Sequence, residues 1–248
     1  MSEPHANSPA PGGAPCLSVI MPVHNEADFL EEILRRVAAQ PVVGEIIVVD
    51  DASSDGSSEL VERLIESELP QIRLIRQSPN QGKGSAVRRG FEHVSHEYVV
   101  IQDADLEYWP EDYPVLLEPM QAGRADVVFG DRFHKGRPEH MRPLYFAANR
   151  FLSWVFNTRN RTNVLDMETC YKAFRSKYLP YVTSTENRFC FDPELAAELI
   201  RLGARVANVP ITYRARTREE GKKIGWKDGV AQLIVILKGP PGRKLLPE

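Results

Sequence analysis

Four short apolar runs alternate with segments of helical period in the first 107 residues, and this alternation restricts the chain more than any other feature. The runs are 16–22, 44–50, 72–75 and 98–101, rich in β-branched residues. Such runs, bounded by polar clusters, predict buried strands. Between them Phe29, Leu30, Ile33, Leu34 and Val37 recur at helical spacing, as do Leu60, Leu64 and Ile65, and then Ala86, Val87, Gly90, Phe91 and Val94. Strands alternating with helices predict an α/β fold, a mostly parallel sheet with helices on both faces. At 248 residues the chain is most simply a single domain with a full core.

Ligands on such sheets bind outside the carboxyl ends of the strands. Each informative cluster of the first half falls at such an end: His24-Asn25-Glu26, Asp50-Asp51, Gly82-Lys83-Gly84, and Asp103 with Asp105. Their convergence predicts one nucleotide site. Asp103 and Asp105 leave a buried strand, and Glu107 stands two residues further on. Carboxylates there are costly unless something positive is close. Hard oxygen donors at this spacing suit Mg²⁺ or Mn²⁺, which bridges a diphosphate and neutralises charge on a leaving group. A solvated acidic turn, or Asp103 as a helix cap, is the plain alternative. The Gly-rich stretch 80–85 lacks P-loop spacing, and Val87 stands at the third glycine position of a dinucleotide fingerprint. Lys83 is expected either to meet a phosphate or base, or to be a solvated lysine in a turn.

Charge is segregated along the chain. Residues 1–131 hold 9 Lys+Arg against 23 Asp+Glu, a net of −14, and residues 132–248 hold 22 against 11, a net of +11. The first half therefore predicts a nucleotide–metal platform and the second a surface for phosphate-bearing ligands or anionic lipid heads. Residues 126–130 predict a further strand, 134–142 a mobile loop, and 144–156 an aromatic helix. Asp192 is expected to cap a helix over 193–202. Residues 206–213 read as extended, 214–227 are strongly basic, and 230–237 form a short apolar run. Residues 1–15, rich in Pro, Ala, Gly and Ser, are expected to be a disordered tail, leaving 16–248 as the folded unit. Cys16, Cys170 and Cys190 form no C-x-x-C pair and predict a reducing compartment. No run reaches the roughly 18 apolar residues of a membrane span, and no signal peptide is expected. The expected location is cytoplasmic, with peripheral contact at the membrane face, and no nucleic-acid partner is expected.

The stretches Pro22-Val-His-Asn-Glu26, Val49-Asp-Asp-Ala-Ser-Ser-Asp-Gly-Ser57, Asn80-Gln-Gly-Lys-Gly-Ser85 and Asp103-Ala-Asp-Leu-Glu107 together resemble family 2 glycosyltransferases of the GT-A, Rossmann-like fold. Gly130-Asp-Arg-Phe133, Asp166-Met-Glu-Thr-Cys-Tyr-Lys172 and Arg218-Glu-Glu-Gly-Lys-Lys-Ile-Gly225 extend the likeness to the dolichyl- and polyprenyl-phosphate sugar synthases. The resemblance covers nearly everything after the tail. It implies that Pro22, Asn25, Glu26 and Asp51 line the nucleoside pocket, and that Asp103, Asp105 and Glu107 hold the divalent ion and donor diphosphate. It implies that Arg132 meets the acceptor phosphate. The chain departs from that family at Glu107, often Gln there, and at Cys170, commonly Gly.

The implied reaction is inverting transfer of a hexose from a UDP- or GDP-sugar to an acceptor. A hydroxyl acceptor needs a general base, for which Asp166 and Glu168 are available. Turn capping is their plain alternative. A phosphate monoester, with a second pKa of about 6, arrives ionised and needs cations instead: Arg132, with Arg150, Arg218, Lys222 and Lys223 in support. The expected acceptor is a polyprenyl or dolichyl phosphate, with a soluble or polysaccharide hydroxyl as the alternative. A sugar nucleotidyltransferase would carry a Gly-rich signature at the first strand, absent here. A phosphatase would want its D-x-D near the N-terminus. A non-catalytic sugar-nucleotide-binding protein remains the rival of a different class.

Overall fold

The computed structural model describes residues 14–139, 141–188, 190–216 and 226–239. Seven strands form a sheet of order β3-β2-β1-β4-β6-β5-β7. They are β1 (Leu17–Val23), β2 (Val43–Asp51), β3 (Ile72–Gln77), β4 (Tyr98–Ile101), β5 (Val127–Asp131), β6 (Lys172–Arg175) and β7 (Val206–Pro210). Pairs β1–β2, β1–β4, β2–β3 and β5–β7 are parallel, whereas β6 lies antiparallel between β4 and β5. The expected mostly parallel α/β sheet is therefore present, in one unit that joins both halves of the chain. Val19–Met21, Ile46–Val49 and Val99–Ile101 are fully buried. Their continuous apolar runs follow from burial on both faces.

The helices are α1 (Ala27–Ala38), α2 (Ser57–Ser67), α3 (Lys83–Phe91), α4 (Tyr113–Gln121), α5 (Pro143–Asn160), α6 (Phe191–Arg201) and α7 (Trp226–Lys238). They fall into two packed groups. In one, α1 meets α2 and, through a 3-10 turn at Pro110–Asp112, is linked to α4; in the other, α3, α5 and α7 gather around α6. The stripe on α1 buries Leu30, Ile33, Leu34 and Val37, as its spacing demands.

Two features of the sheet create the site. Ile20 is the last β1 residue paired with β4, opposite Ile101, while β1 runs on to Val23. The chain after Ile101 is thus freed to turn beyond the edge of β1. Strand order also reverses at β1, with β2 on one side and β4 on the other, the switch point at which crevices open. Because β6 is antiparallel, the segment entering it, residues 166–171, arrives at the edge where the parallel strands leave.

Several boundaries differ from expectation. The helix expected over 193–202 is Phe191–Arg201, with Cys190 at its N-cap. Asp192 is not the cap, because its carboxylate is drawn inward by two lysines. The segment 206–213 pairs only to Pro210, and Tyr213 then bridges back to Tyr108. The aromatic helix runs longer than expected and leaves Phe151 and Trp154 exposed while burying Phe156. Most of the 1–15 tail, together with Arg218, Lys222 and Lys223, lies outside the described residues.

Candidate active site

A cleft of about 550 Å³ opens at the carboxyl edge of the sheet. Its size suits a ligand larger than a simple metabolite. Pro22, Glu26, Asp51, Lys83, Asp103, Asp105, Glu107, Arg132 and Glu168 all line it. Asn25 and Asp166 are not on its wall, and Arg150 donates instead to the Leu165 carbonyl, 3.4 Å away. Asn25 has a positive φ of 54° and stitches strand exits together: its backbone N–H donates to Ser53 Oγ at 3.0 Å and its Oδ1 accepts from the Ser54 N–H at 2.8 Å.

The Gly-rich loop is anchored rather than free. Asp51, at the end of β2, accepts from the Gln81 and Gly82 N–H groups at 2.7 and 2.6 Å and from Gln77 at 2.6 Å. Gly82 has φ +97°, and a Cβ there would sit 2.4 Å from the Asn187 carbonyl oxygen, so only glycine fits. Lys83 is not a solvated lysine: its Nζ lies 2.8 Å from Asp103 and 3.5 Å from Asp192. Burial would lower its pKa, but Asp103 and Asp192 outweigh that and hold it well above the ordinary lysine range. Asp192 also binds Lys172 at 3.1 Å, and Lys172 is fully buried. One carboxylate thus ties the Gly-rich loop to the start of β6.

The exit of β4 is braced by Gln102, fully buried, whose side-chain oxygen accepts from Tyr113 and Tyr171 at 2.7 and 2.6 Å. The three acidic groups that follow diverge. Asp103 faces Lys83. Asp105 Oδ2 meets Arg216 Nη2 at 3.0 Å, while Arg216 Nη1 reaches Glu26 at 3.3 Å. Glu107 accepts from the Tyr213 hydroxyl at 2.8 Å and the Arg216 N–H at 2.7 Å. Among the described residues no group of three His, Cys, Asp or Glu side chains is arranged to hold a metal ion. Asp103, Asp105 and Glu107, the trio expected to hold the ion, all line the cleft, and each meets a separate partner: Lys83, Arg216 and Tyr213. Burial, with Asp103 and Glu107 nearby and Arg216 opposing, pushes the Asp105 carboxyl up to about 7.

Arg132, following β5, is gripped by Asp166 in a bidentate pair, Nε–Oδ2 at 2.6 Å and Nη2–Oδ1 at 2.8 Å. It also stacks against Phe133 and Tyr213 at 5.1 Å. Both oxygens of the fully buried Asp166 accept from Arg132, an arrangement that suits positioning the guanidinium more than the role of base expected from its sequence context. Glu168 differs. Its Oε2 accepts from Gln232 at 2.7 Å, but its Oε1 is buried without a partner. Burial, reinforced by Asp192 and opposed by Lys172, pushes its carboxyl up to about 7.

That shift carries a sign. A carboxyl raised from 4.5 to about 7 binds its proton more tightly in the folded chain. Its stabilising contribution is full below the unfolded value and is lost as pH rises through about 7. Glu168→Gln removes this loss, and is expected to stabilise the ligand-free chain more at pH 8 than at pH 5, by on the order of 3 kcal/mol. Denaturant melts at the two pH values check it; an equal effect at both would refute the assignment.

Lys172, Asp192, Gln102, Tyr213, Arg216 and Gln232 were not singled out as site residues by sequence. Arg216, inside the basic segment, and Lys172, at the end of the family-like stretch 166–172, carried a signal that could have found them.

A sheet of this topology, with an acid-lined cleft at its switch point and buried basic groups beside it, has the α/β architecture of the GT-A fold. Residues 18–179 match the model of Glycosyl transferase family 2, and the chain belongs to that family. It is 32% identical over 216 residues to the dolichol-phosphate mannosyltransferase of Pyrococcus furiosus, covering 84% of this chain and 59% of that protein. It is 29% identical over 234 residues to the undecaprenyl-phosphate mannosyltransferase of Micrococcus luteus, covering 90% and 94%. The chain spans only about six-tenths of several such relatives, with 62%, 59% and 63% of three of them covered. In fold it is similar to glucosyl-3-phosphoglycerate synthase of Mycobacterium tuberculosis, solved with Mn²⁺, UDP and glucosyl-3-phosphoglycerate (TM-score 0.66, 21% identity, 90% of this chain and 78% of that one). A mannosyltransferase of Pyrobaculum calidifontis, solved with GDP-Man and Mn²⁺, gives TM-score 0.60 at 24% identity, covering 84% and 58%.

Proposed function

We propose that this chain transfers a hexose, with inversion, from a UDP- or GDP-sugar to a polyprenyl or dolichyl phosphate. The observation that carries the reading is Arg132, buried on the cleft wall and fixed by Asp166. A guanidinium held in a rigid fork suits a phosphate. The acceptor phosphate is its own nucleophile: an oxygen forms the bond to the anomeric carbon as the bond to the donor diphosphate breaks, and the diphosphate leaves with the electron pair. Arg132 orients the attacking phosphate, and Lys83 and Arg216 offset charge on the departing one. The names of the relatives from Pyrococcus and Micrococcus support this acceptor class.

A divalent cation, Mn²⁺ or Mg²⁺, fits the residues present. Asp103, Asp105 and Glu107 bring hard oxygen donors to one wall of the cleft, the donor type such a cation takes, and burial, with Asp103 and Glu107 nearby, holds the Asp105 carboxyl up to about 7. Asp103 and Asp105 would hold it, with Glu107 behind them. Such an ion would supply charge stabilisation to the departing nucleoside diphosphate. Pro22, Glu26 and Asp51 would face the nucleoside.

No helix among the described residues is long and apolar enough to cross a membrane. Leu144, Phe151 and Trp154 on α5, and Val230, Ile234 and Leu237 on α7, are nevertheless exposed, and the two helices pack together. Met141 and Tyr145, by the start of α5, line the cleft. These features support peripheral contact with an anionic bilayer, where each basic residue contributes about 1 kcal/mol and salt screens the attraction. The protein is expected to sediment with anionic liposomes at low salt and to be released at high salt.

A second reading, transfer to a sugar or polysaccharide hydroxyl with Glu168 as base, is favoured by a carboxyl near pH 7. An acceptor panel decides between the two. Polyprenyl phosphate is expected to be glycosylated faster than water-soluble sugars; the reverse order would overturn the lipid reading.

A further inference from the structure

We infer that Glu168 and Gln232 together form a subsite for a hydroxyl of the donor hexose, so that Glu168 reads the sugar and does not act as a base. The inference rests on the reading of the cleft as a nucleotide-sugar site.

Both residues line the cleft, although 64 positions separate them. Gln232 is buried on α7 and fixes Glu168 Oε2 through a bond of 2.7 Å, leaving Oε1 buried and unpartnered. The neighbouring charges are matched. Arg132 pairs with Asp166, while Lys83 and Lys172 share Asp103 and Asp192. Glu168 has no ion pair among the described residues, and its second oxygen has no hydrogen-bond partner. A covered oxygen of that kind calls for a neutral hydrogen-bonding partner. A sugar hydroxyl both donates and accepts, and so meets the carboxyl whether it is ionised or protonated. A site built around such a bond discriminates against sugars lacking the hydroxyl. With a phosphate acceptor no base is required, which leaves Glu168 free for this role.

The test is calorimetric binding of UDP, GDP, UDP-glucose and GDP-mannose, with steady-state transfer, for the wild type and for Glu168→Ala, Glu168→Gln and Gln232→Ala. Glu168→Ala and Gln232→Ala are expected to leave nucleoside diphosphate affinity within about twofold and to weaken the matching sugar nucleotide about tenfold. Glu168→Gln keeps a side chain of the same shape that donates and accepts, and is expected to retain more of the sugar affinity than Glu168→Ala, with transfer falling no further than binding does. If Glu168→Ala does not fold, Gln232→Ala carries the same comparison. Equal weakening of diphosphate and sugar nucleotide would reduce the pair to a structural role and overturn the inference. So would unchanged sugar affinity, or a loss of kcat in Glu168→Gln with binding intact, which would make Glu168 the base. Failure of the wild type to bind any of the four nucleotides would sink the glycosyltransferase reading itself, and this inference with it.

Discussion

Asp105→Ala is expected to lower sugar transfer by roughly 10²- to 10³-fold while leaving the ligand-free chain as stable as the wild type, or more so. The two halves of this result have one cause. Burial, with Asp103 and Glu107 nearby, pushes the Asp105 carboxyl up to about 7, so its ionised form is disfavoured at neutral pH. Removing it relieves that cost and leaves Arg216 paired with Glu26. A divalent cation would offset the cost of ionising Asp105 there, so the carboxylate most costly to hold in the folded chain is the one whose loss is expected to slow the reaction. Chelation should mimic the substitution in activity and not in stability. Transfer assays with added Mn²⁺, set beside thermal melts, separate the effects. Full activity in a chelator, or a melting point several degrees lower in Asp105→Ala, would count against this assignment.

The second large effect concerns Arg132 and Asp166. Asp166→Asn leaves a buried guanidinium without its counter-charge and is expected to destabilise the chain by about 3–5 kcal/mol. Arg132→Ala strands the fully buried Asp166 and should cost a similar amount, so lost activity in that variant alone would be ambiguous. The paired replacement Arg132→Met with Asp166→Leu removes both charges. It is expected to recover most of the stability, to bind the donor nucleotide, and to transfer nothing to polyprenyl phosphate. Denaturant unfolding of the wild type, Arg132→Met, Asp166→Leu and the paired variant measures the coupling. A single-variant cost under about 1 kcal/mol, or transfer by the paired variant, would show that Arg132 is not the phosphate grip.

The strand and helix order was legible because it is written in local periods. Buried runs such as 46–49 and the stripe of α1 need no distant partner to be recognised. The clusters at strand exits were legible for the same reason, since sheet topology alone sends them to one edge. What could not be read were choices between partners far apart in sequence. Asp166 looked like a free carboxylate because Arg132, its partner, lies 34 residues earlier. Asp192 looked like a helix cap because the lysines that claim it come from β6 and from the Gly-rich loop. Glu107 reads as a third ligand, and nothing in its own stretch announces its bond to Tyr213, 106 residues later. In each case a tertiary contact supplies a partner that the local stretch does not announce.

The reversed strand β6 has a consequence for how such an enzyme can change. In a wholly parallel sheet, segments reaching the working edge descend from strands whose other ends carry crossover helices, so altering one disturbs a neighbour. Here a strand running the other way delivers residues 166–171 to that edge from a separate stretch of chain, hydrogen-bonded on both sides. Two stretches far apart in sequence therefore meet along one seam: Asp192 ties the Gly-rich loop to the start of β6, and Arg216 reaches Glu26 and Asp105. A substitution on either side of that seam is felt on the other, so the two sides of the cleft change together.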